Sequence, residues 1–386
     1  MTAVAQQVAK QDDGPLIMRI GQWLLVALLV YLLISAVGMI GSGFKGATKG
    51  DATELFAFAT NPFMGLVVGI LATSLIQSSS TVTSIIVGLV AGGLSVEMAI
   101  PMVMGANIGT TITNTIVALG HIRKKKSFRR AFAAATVHDF FNLMAVVIFM
   151  TLELTTGILH KIGGYFANSL VGADMSVKGL NFIKPATKPT IGLFKDAAEM
   201  IYAPGMNVLL VIFGIIIIFM SITWVGKLLK RLLVGRAKRI MHSSIGKGPI
   251  RGIISGSIVT ILVQSSSTTT SLMVPLAGSG VFRLKQIYPF TLGANIGTCI
   301  TGLLAATAIT GPTAVYAMEI ALIHTTFNVL AVLLIYGIKT LRKIPLRGAT
   351  WLAKLAVERK TLALVYLFGV YFVTPGIMVA IYQMFK

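Results

Sequence analysis

The chain has 386 residues, of which 55% are apolar and only 12% charged, about half the charged share of an ordinary globular protein. Its net charge is +21, from 33 Lys and Arg against 12 Asp and Glu. With so little polar surface to carry it, that excess argues against a nucleic-acid-binding protein and for a membrane protein with basic loops. The single cysteine, Cys299, excludes an internal disulfide and a cysteine-cluster metal site, and the scattered histidines have no zinc spacing.

A bilayer core of about 30 Å needs roughly 20 apolar residues in a helix. In chain order the first candidate is Leu16–Ile40, too long and too weakly flanked for a cleaved signal and therefore read as a retained helix. Pro62–Val90 follows, apolar but broken midway by Gln77-Ser78-Ser79-Ser80-Thr81. Met98–Leu119, Ala131–Leu154 and Met206–Leu228 are three further spans. Pro249–Ala277 is again apolar and again broken, by Gln264-Ser265-Ser266-Ser267-Thr268, before the spans Ile287–Ala306, Ala314–Ile338 and Leu362–Met384.

Basic residues sort the connections. Arg123–Arg130, Lys227–Arg251 and Lys339–Lys360 hold most of the cations and a single acid, Glu358, so these three loops are expected in the cytoplasm. Gly41–Glu54 and Gly157–Pro204 carry mixed charge and are expected outside. The plain meaning of the basic runs is topology, with anionic lipid contact as the lesser alternative.

The sequence says the same thing twice. Pro62–Val87 and Pro249–Val274 match without a gap, Pro101–Thr113 matches Pro289–Thr301, and His138–Val146 matches His324–Val332, in the same order. From Pro62 to Gln77 is about 22 Å as helix, short of a crossing. A re-entrant hairpin fits better, its polar break tolerated because protein surrounds it. With both broken segments as hairpins each half has three crossings, and an odd number turns the second half upside down. The basic loops agree with this parity. The expected fold is an all-α integral membrane protein of two inverted repeats, each with a re-entrant helical hairpin and a discontinuous transmembrane helix. Its units are a first repeat over 1–156, an extracellular linker over 157–205, a second repeat over 206–338, and a cytoplasmic loop with a C-terminal helix over 339–386. Inverted repeats with broken helices and a site near the midplane are the pattern of secondary transporters.

The serine runs should mark the N-terminus of each hairpin's second half-helix, where unpaired N–H groups and about half a positive charge are available. Two such termini converging would hold a tetrahedral oxyanion without Lys or Arg, since Arg19 and Lys227 lie at the ends of their spans. Gln77 and Gln264 add carboxamides that donate to an anion or coordinate a metal ion. The alternative is N-capping and small-residue packing alone, weakened by the duplication. Gly105-Ala106-Asn107-Ile108-Gly109-Thr110-Thr111 and Gly293-Ala294-Asn295-Ile296-Gly297-Thr298-Cys299 should interrupt the next helix of each half. Their G-x-x-x-G spacing reads either as close packing or as an unwound stretch whose carbonyls join Asn107, Asn295, Thr110, Thr113, Thr298 and Thr301 around a hard cation such as sodium. Ser80 and Ser267 are supporting candidates. His138 and Asn142 share a helix face, as do His324 and Asn328, and a buried histidine is more often a hydrogen-bonded strut than a ligand. Asp139 is a carboxylate in an apolar span, expensive unless it has a task. Its counterpart is Thr325, so any such task is asymmetric; Glu319 also falls within a span, with no motif around it. No nucleophile–base pair appears, so an enzyme is not expected.

The twin Q-S-S-S-T hairpins, the twin G-A-N-I-G-T segments and the run Arg129–Asn142 (RRAFAAATVHDFFN) resemble the type II sodium-dependent phosphate cotransporter family. The likeness runs from about Leu16 to Thr374. It implies sodium-driven uptake of inorganic phosphate by alternating access, with sodium co-transported and no organic cofactor. The resemblance implies a phosphate site on Gln77, Ser78, Ser79, Gln264, Ser265 and Ser266. It implies one sodium site with Gln264, Ser265, Thr298 and Thr301, and another with Asp139 and Asn142. Ala133, Ala135 and Asp139 resemble the pattern that accompanies electrogenic transport in the family. Animal members carry a larger, disulfide-closed outer loop between the halves and return the C-terminus to the cytoplasm. This chain therefore resembles a compact bacterial member of the inner cell membrane, its N-terminus cytoplasmic and its C-terminus outside. The rivals are a sodium-coupled carrier of a carboxylate or sulfate, an anion channel, and a non-transporting membrane scaffold; the oligomeric state is left open.

Overall fold

A computed structural model describes residues 16–48, 61–171 and 182–384. The expected location of the N-terminus, and parts of the two outer connections, lie outside the described residues. Among those residues the chain is helical without a strand, and seven helices are long and apolar enough to cross a membrane. They coincide with the seven spans read from hydropathy.

In chain order, α1 (Leu16–Ala47) precedes a broken pair, α2 (Pro62–Ile76) and α3 (Ser79–Ala91). Next come α4 (Val96–Gly109), α5 (Ile112–Leu119), α6 (Lys125–Thr156) and α7 (Ile158–Leu170). α8 (Ile183–Tyr202) leads into the long α9 (Met206–Ser244). The second broken unit is α10 (Pro249–Val263), α11 (Ser266–Ser271) and α12 (Met273–Ser279). α13 (Leu284–Thr307) and α14 (Ala314–Ala331) follow, the latter ending in a π-helical turn over Val332–Tyr336. The amphipathic α15 (Lys339–Glu358) lies along α6. A last span is built from α16 (Thr361–Phe368), a π-helical stretch at Gly369–Val373, and α17 (Thr374–Met384). The connection over 157–205 thus contributes two helices, α7 and α8. α7 packs on α14, and α8 lies against α1 and α9.

Each break is made by the same two residues. Gln77 and Gln264 are the only non-glycine residues with positive φ among those described, at 56° and 54°. The left-handed conformation ends a helix without an orphaned donor, and the Gln77 N–H closes back on the Thr73 carbonyl at 2.7 Å. The next residue, Ser78 or Ser265, is extended, and its hydroxyl oxygen accepts from the N–H of Thr81 or Thr268. One helix is capped and another begun within two residues, where the serine runs predicted. A left-handed glutamine costs about 1–2 kcal/mol, so the surrounding packing must hold it there.

Glycines supply that packing. A Cβ on Gly69 would fall on the Met102 carbonyl and one on Gly105 on the Leu66 carbonyl, so α2 and α4 approach through backbone. The second half repeats the arrangement, with Gly256 against Phe290 and Gly293 against Ile253 joining α10 to α13. The close-packing reading of G-x-x-x-G is therefore realised in both halves.

The expectation of a broken helix holds in the first half and fails in the second. Between α4 and α5, Thr111 turns its N–H and its hydroxyl to the Ile108 carbonyl, three residues back, at 3.4 and 2.9 Å. That tighter turn releases the carbonyls of Asn107 and Thr110. They are taken by the Asn142 amide at 2.7 Å and the Ser267 hydroxyl at 3.4 Å. In α13, Cys299, at the position of Thr111, instead bonds the carbonyl four residues back, of Asn295, and the helix continues unbroken.

Large apolar side chains on α9 (Ile212, Ile216, Phe219) and on the last span (Val365, Phe368, Ile377) are exposed. In water that area would be a liability; against acyl chains it is the expected outer surface. A direct check on the glycine contacts is Gly293→Ala. It should lower the detergent melting midpoint by the equivalent of about 1–3 kcal/mol of overpacking. Gly192→Ala, on α8 with nothing within 4 Å of the added methyl, should not lower it, and the better helix propensity of alanine should raise it slightly.

Candidate functional site

Two buried asparagines stand at the centre, and each is held by the other half of the chain. Asn107 donates to Asn328 Oδ1 at 2.8 Å and accepts from His324 Nε2 at 3.1 Å. Asn295 donates to Asn142 Oδ1 at 2.8 Å and pairs with His138 Nε2 at 2.7 Å. All six residues are buried. The H-x-x-x-N face of each half therefore grips the asparagine between the glycines of the other. The strut reading of His138 and His324 is what the geometry realises. The Asn142 amide, on the Asn107 carbonyl, ties the two clamps together.

The broken units converge. Gln77, Ser78, Gln264, Ser265 and Thr268 line one cavity of about 300 Å³. The serines behind the tips, Ser79, Ser80, Ser266 and Ser267, are buried. Thr301 donates to Gln264 Oε1 at 3.1 Å, which brings together two members of the expected Gln264, Ser265, Thr298 and Thr301 set. Thr298 is buried with its hydroxyl on the Ala294 carbonyl. The second unit is braced against the α4–α5 break by Ser267 on the Thr110 carbonyl and by Thr270 donating to Asn114 Oδ1 at 2.9 Å. The Thr110 hydroxyl bonds the Ala106 carbonyl, while the Thr113 oxygen is buried without a partner.

The expected anion site uses no Lys or Arg. Its tip residues share their cavity with Lys227 and Lys230 of α9. They stand at the cytoplasmic end of the span in the expected topology, and the broken helices reach far enough to meet them.

Asp139 and Asn142 are one turn apart but have separate partners. Tyr366, from the last span, donates to Asp139 Oδ2 at 2.8 Å. The other carboxylate oxygen, Oδ1, is buried without a hydrogen bond. Beside it Thr111 and Tyr371 share a hydrogen bond of 2.7 Å. Glu319, unassigned from sequence, has Oε1 3.4 Å from His160 Nε2, while His160 Nδ1 lies 3.6 Å from Glu97. That triad sits at the ends of α4, α7 and α14 away from the basic loops. Asn114, Tyr366, Tyr371 and His160 are the residues that sequence reasoning missed. A polar residue in an apolar span flags Asn114 alone.

The family model described as Na+/Pi-cotransporter matches residues 32–184 and 217–347. The sodium-dependent phosphate transport protein 2A of Rattus norvegicus is 33% identical over 424 aligned residues, covering 91% of this chain and 66% of that protein. The 2B protein of Homo sapiens is 31% identical over 445, covering 92% and 64%. The chain thus spans about two thirds of the length of these relatives. No solved structure matches it.

The central clamp is testable without any substrate. Asn295→Ala strands His138 Nε2 and the Asn142 oxygen, a cost of about 1–3 kcal/mol that a lowered melting midpoint should report. His138→Ala combined with Asn295→Ala should lower the midpoint by clearly less than the two single shifts added. Strict additivity would mean that the pair is not coupled.

Proposed function

Because this chain belongs to the Na+/Pi-cotransporter family, we propose that it is a symporter that couples sodium entry to uptake of inorganic phosphate. The single observation that carries the reading is the convergence of Gln77, Ser78, Gln264 and Ser265 on one cavity. The duplicated break supports the view that α2–α3 and α10–α12 are re-entrant hairpins of two inverted repeats, working by alternating access. The chain is then a multi-pass protein of a cell membrane, with the basic loops in the cytoplasm.

Phosphate between the tips meets first-turn N–H groups, serine hydroxyls and two carboxamides. At Ser79 and Ser266 it leaves most of its water behind, so neutral donors must be supplemented by co-bound cations to offset its desolvation. Sodium at Gln264, Ser265, Thr298 and Thr301 supplies one such charge next to the anion. The Gln264–Thr301 contact supports that set, because two oxygens already face each other there. A second sodium at Asp139 would use the carboxylate oxygen that has no hydrogen bond, and two sodium ions carried with one monoanionic phosphate would make the cycle electrogenic. Asn142 supports this site through the helix, since its own side chain is engaged by Asn107 and Asn295.

Equilibrium binding of phosphate to the purified protein should tighten steeply with sodium. Equal binding after replacement of sodium by choline would refute the mechanism. Gln264→Gly separates fold from function: glycine adopts the left-handed conformation freely, so the melting midpoint should hold while the sodium dependence of phosphate binding is lost. A variant that kept full sodium dependence would remove Gln264 from the sodium site.

A further inference from the structure

The wall of the tip cavity facing the serines is α9, and it is cationic. Lys227 and Lys230 are three residues apart, on one face of the helix, and both line the same cavity as Gln77, Ser78, Gln264 and Ser265. Thr223, one turn earlier, lines it as well. Gly226 lies against the last turn of α10, where an added Cβ would stand 3.3 Å from the Val263 carbonyl, so α9 is pressed close to the second tip. Both lysines are exposed. Among the described residues the only ion pairs within 4 Å are those of His160, so no described carboxylate neutralises either lysine. Two unneutralised ammonium groups on one wall of a cavity raise the local concentration of anions. Lysine suits a transient station, because it is a flexible, hydrated point charge with rotatable donors rather than a rigid fork.

We propose that Lys227 and Lys230 form a second anion position, an antechamber on the basic-loop side of the tips, that receives phosphate as it leaves them. The proposal rests on the symport reading and adds to it a residue pair that acts on one face only. Anion arriving from the other face meets the tips without passing the lysines. The lysines therefore govern how tightly phosphate binds from the basic-loop side and how strongly accumulated phosphate opposes further uptake. The chemistry that recognises phosphate also recognises an anionic lipid headgroup, and the test must separate the two.

The experiment is sodium-driven uptake in proteoliposomes sorted for one orientation, with inorganic phosphate preloaded on the side facing the basic loops. In the Lys227→Gln, Lys230→Gln double variant the preload that halves uptake should rise about tenfold, about 1.4 kcal/mol shared between the two ammonium groups. The half-saturating phosphate and sodium on the opposite face should stay unchanged. Each single variant should give part of the shift, and Lys227→Arg with Lys230→Arg should restore most of it. Lys354→Gln, an exposed cation on α15 outside the cavity, should have no effect. An unchanged preload response, or an equal loss of affinity on both faces, would overturn the proposal. A shift seen only with phosphatidylglycerol and absent in phosphatidylcholine alone would assign the lysines to lipid headgroups and overturn it too. A wild-type protein that moves no phosphate would overturn the symport reading itself, and the antechamber with it.

Discussion

The two asparagines at the centre of the molecule fix everything around them. Asn107 and Asn295 each lie between packed glycines, and each spends its side chain on the histidine and asparagine of the other half. In a buried interior an amide or imidazole left without a partner costs as much as several favourable contacts return. The two halves therefore cannot drift apart without stranding donors and acceptors on both sides. Because α4 and α13 carry these asparagines and also receive α2 and α10 through backbone-to-backbone glycine contacts, the clamp sets where the broken helices end. The tips face one cavity because the asparagines face each other's histidines.

Within that frame, different residue types take different tasks. Glycine gives close approach. Glutamine in the left-handed conformation ends one helix, and serine begins the next. The first half opens its helix at Thr110 and Thr111 and lends the freed carbonyls to Asn142 and Ser267. The second half keeps its helix whole. The asymmetry continues at Asp139, which is served by Tyr366 from the last span, outside both repeats. The two halves thus differ in their hydrogen bonds at the α4–α5 break and at Asp139.

Much of this was legible in the chain. The spans follow from apolar length, and the two breaks follow from Q-S-S-S-T, because serine caps a helix start wherever the chain can leave the preceding one. The glycine spacing left packing and ion binding open, and contact geometry was needed to see the close approach at Gly105 and Gly293. The continuity of α13 was not legible: Thr111 and Cys299 occupy equivalent positions, and a choice between carbonyls three and four residues back decides the outcome. The partners of Asp139 were hidden by distance in the sequence, since Tyr366 is an ordinary aromatic of an apolar helix until the fold brings it over. Lys227 and Lys230 read as the start of a basic loop, which they are. Only the depth of the opposing tips turns them into part of a cavity.

The central claim is that the twin tips carry phosphate up a gradient at the expense of sodium. The most direct measurement is uptake of radiolabelled phosphate into proteoliposomes at equal phosphate on both sides, with an inward sodium gradient and a clamped membrane potential. The account predicts accumulation above equilibrium that collapses when sodium is equalised and grows when the interior is made negative. Phosphate that only equilibrates, whatever the sodium gradient, would contradict it.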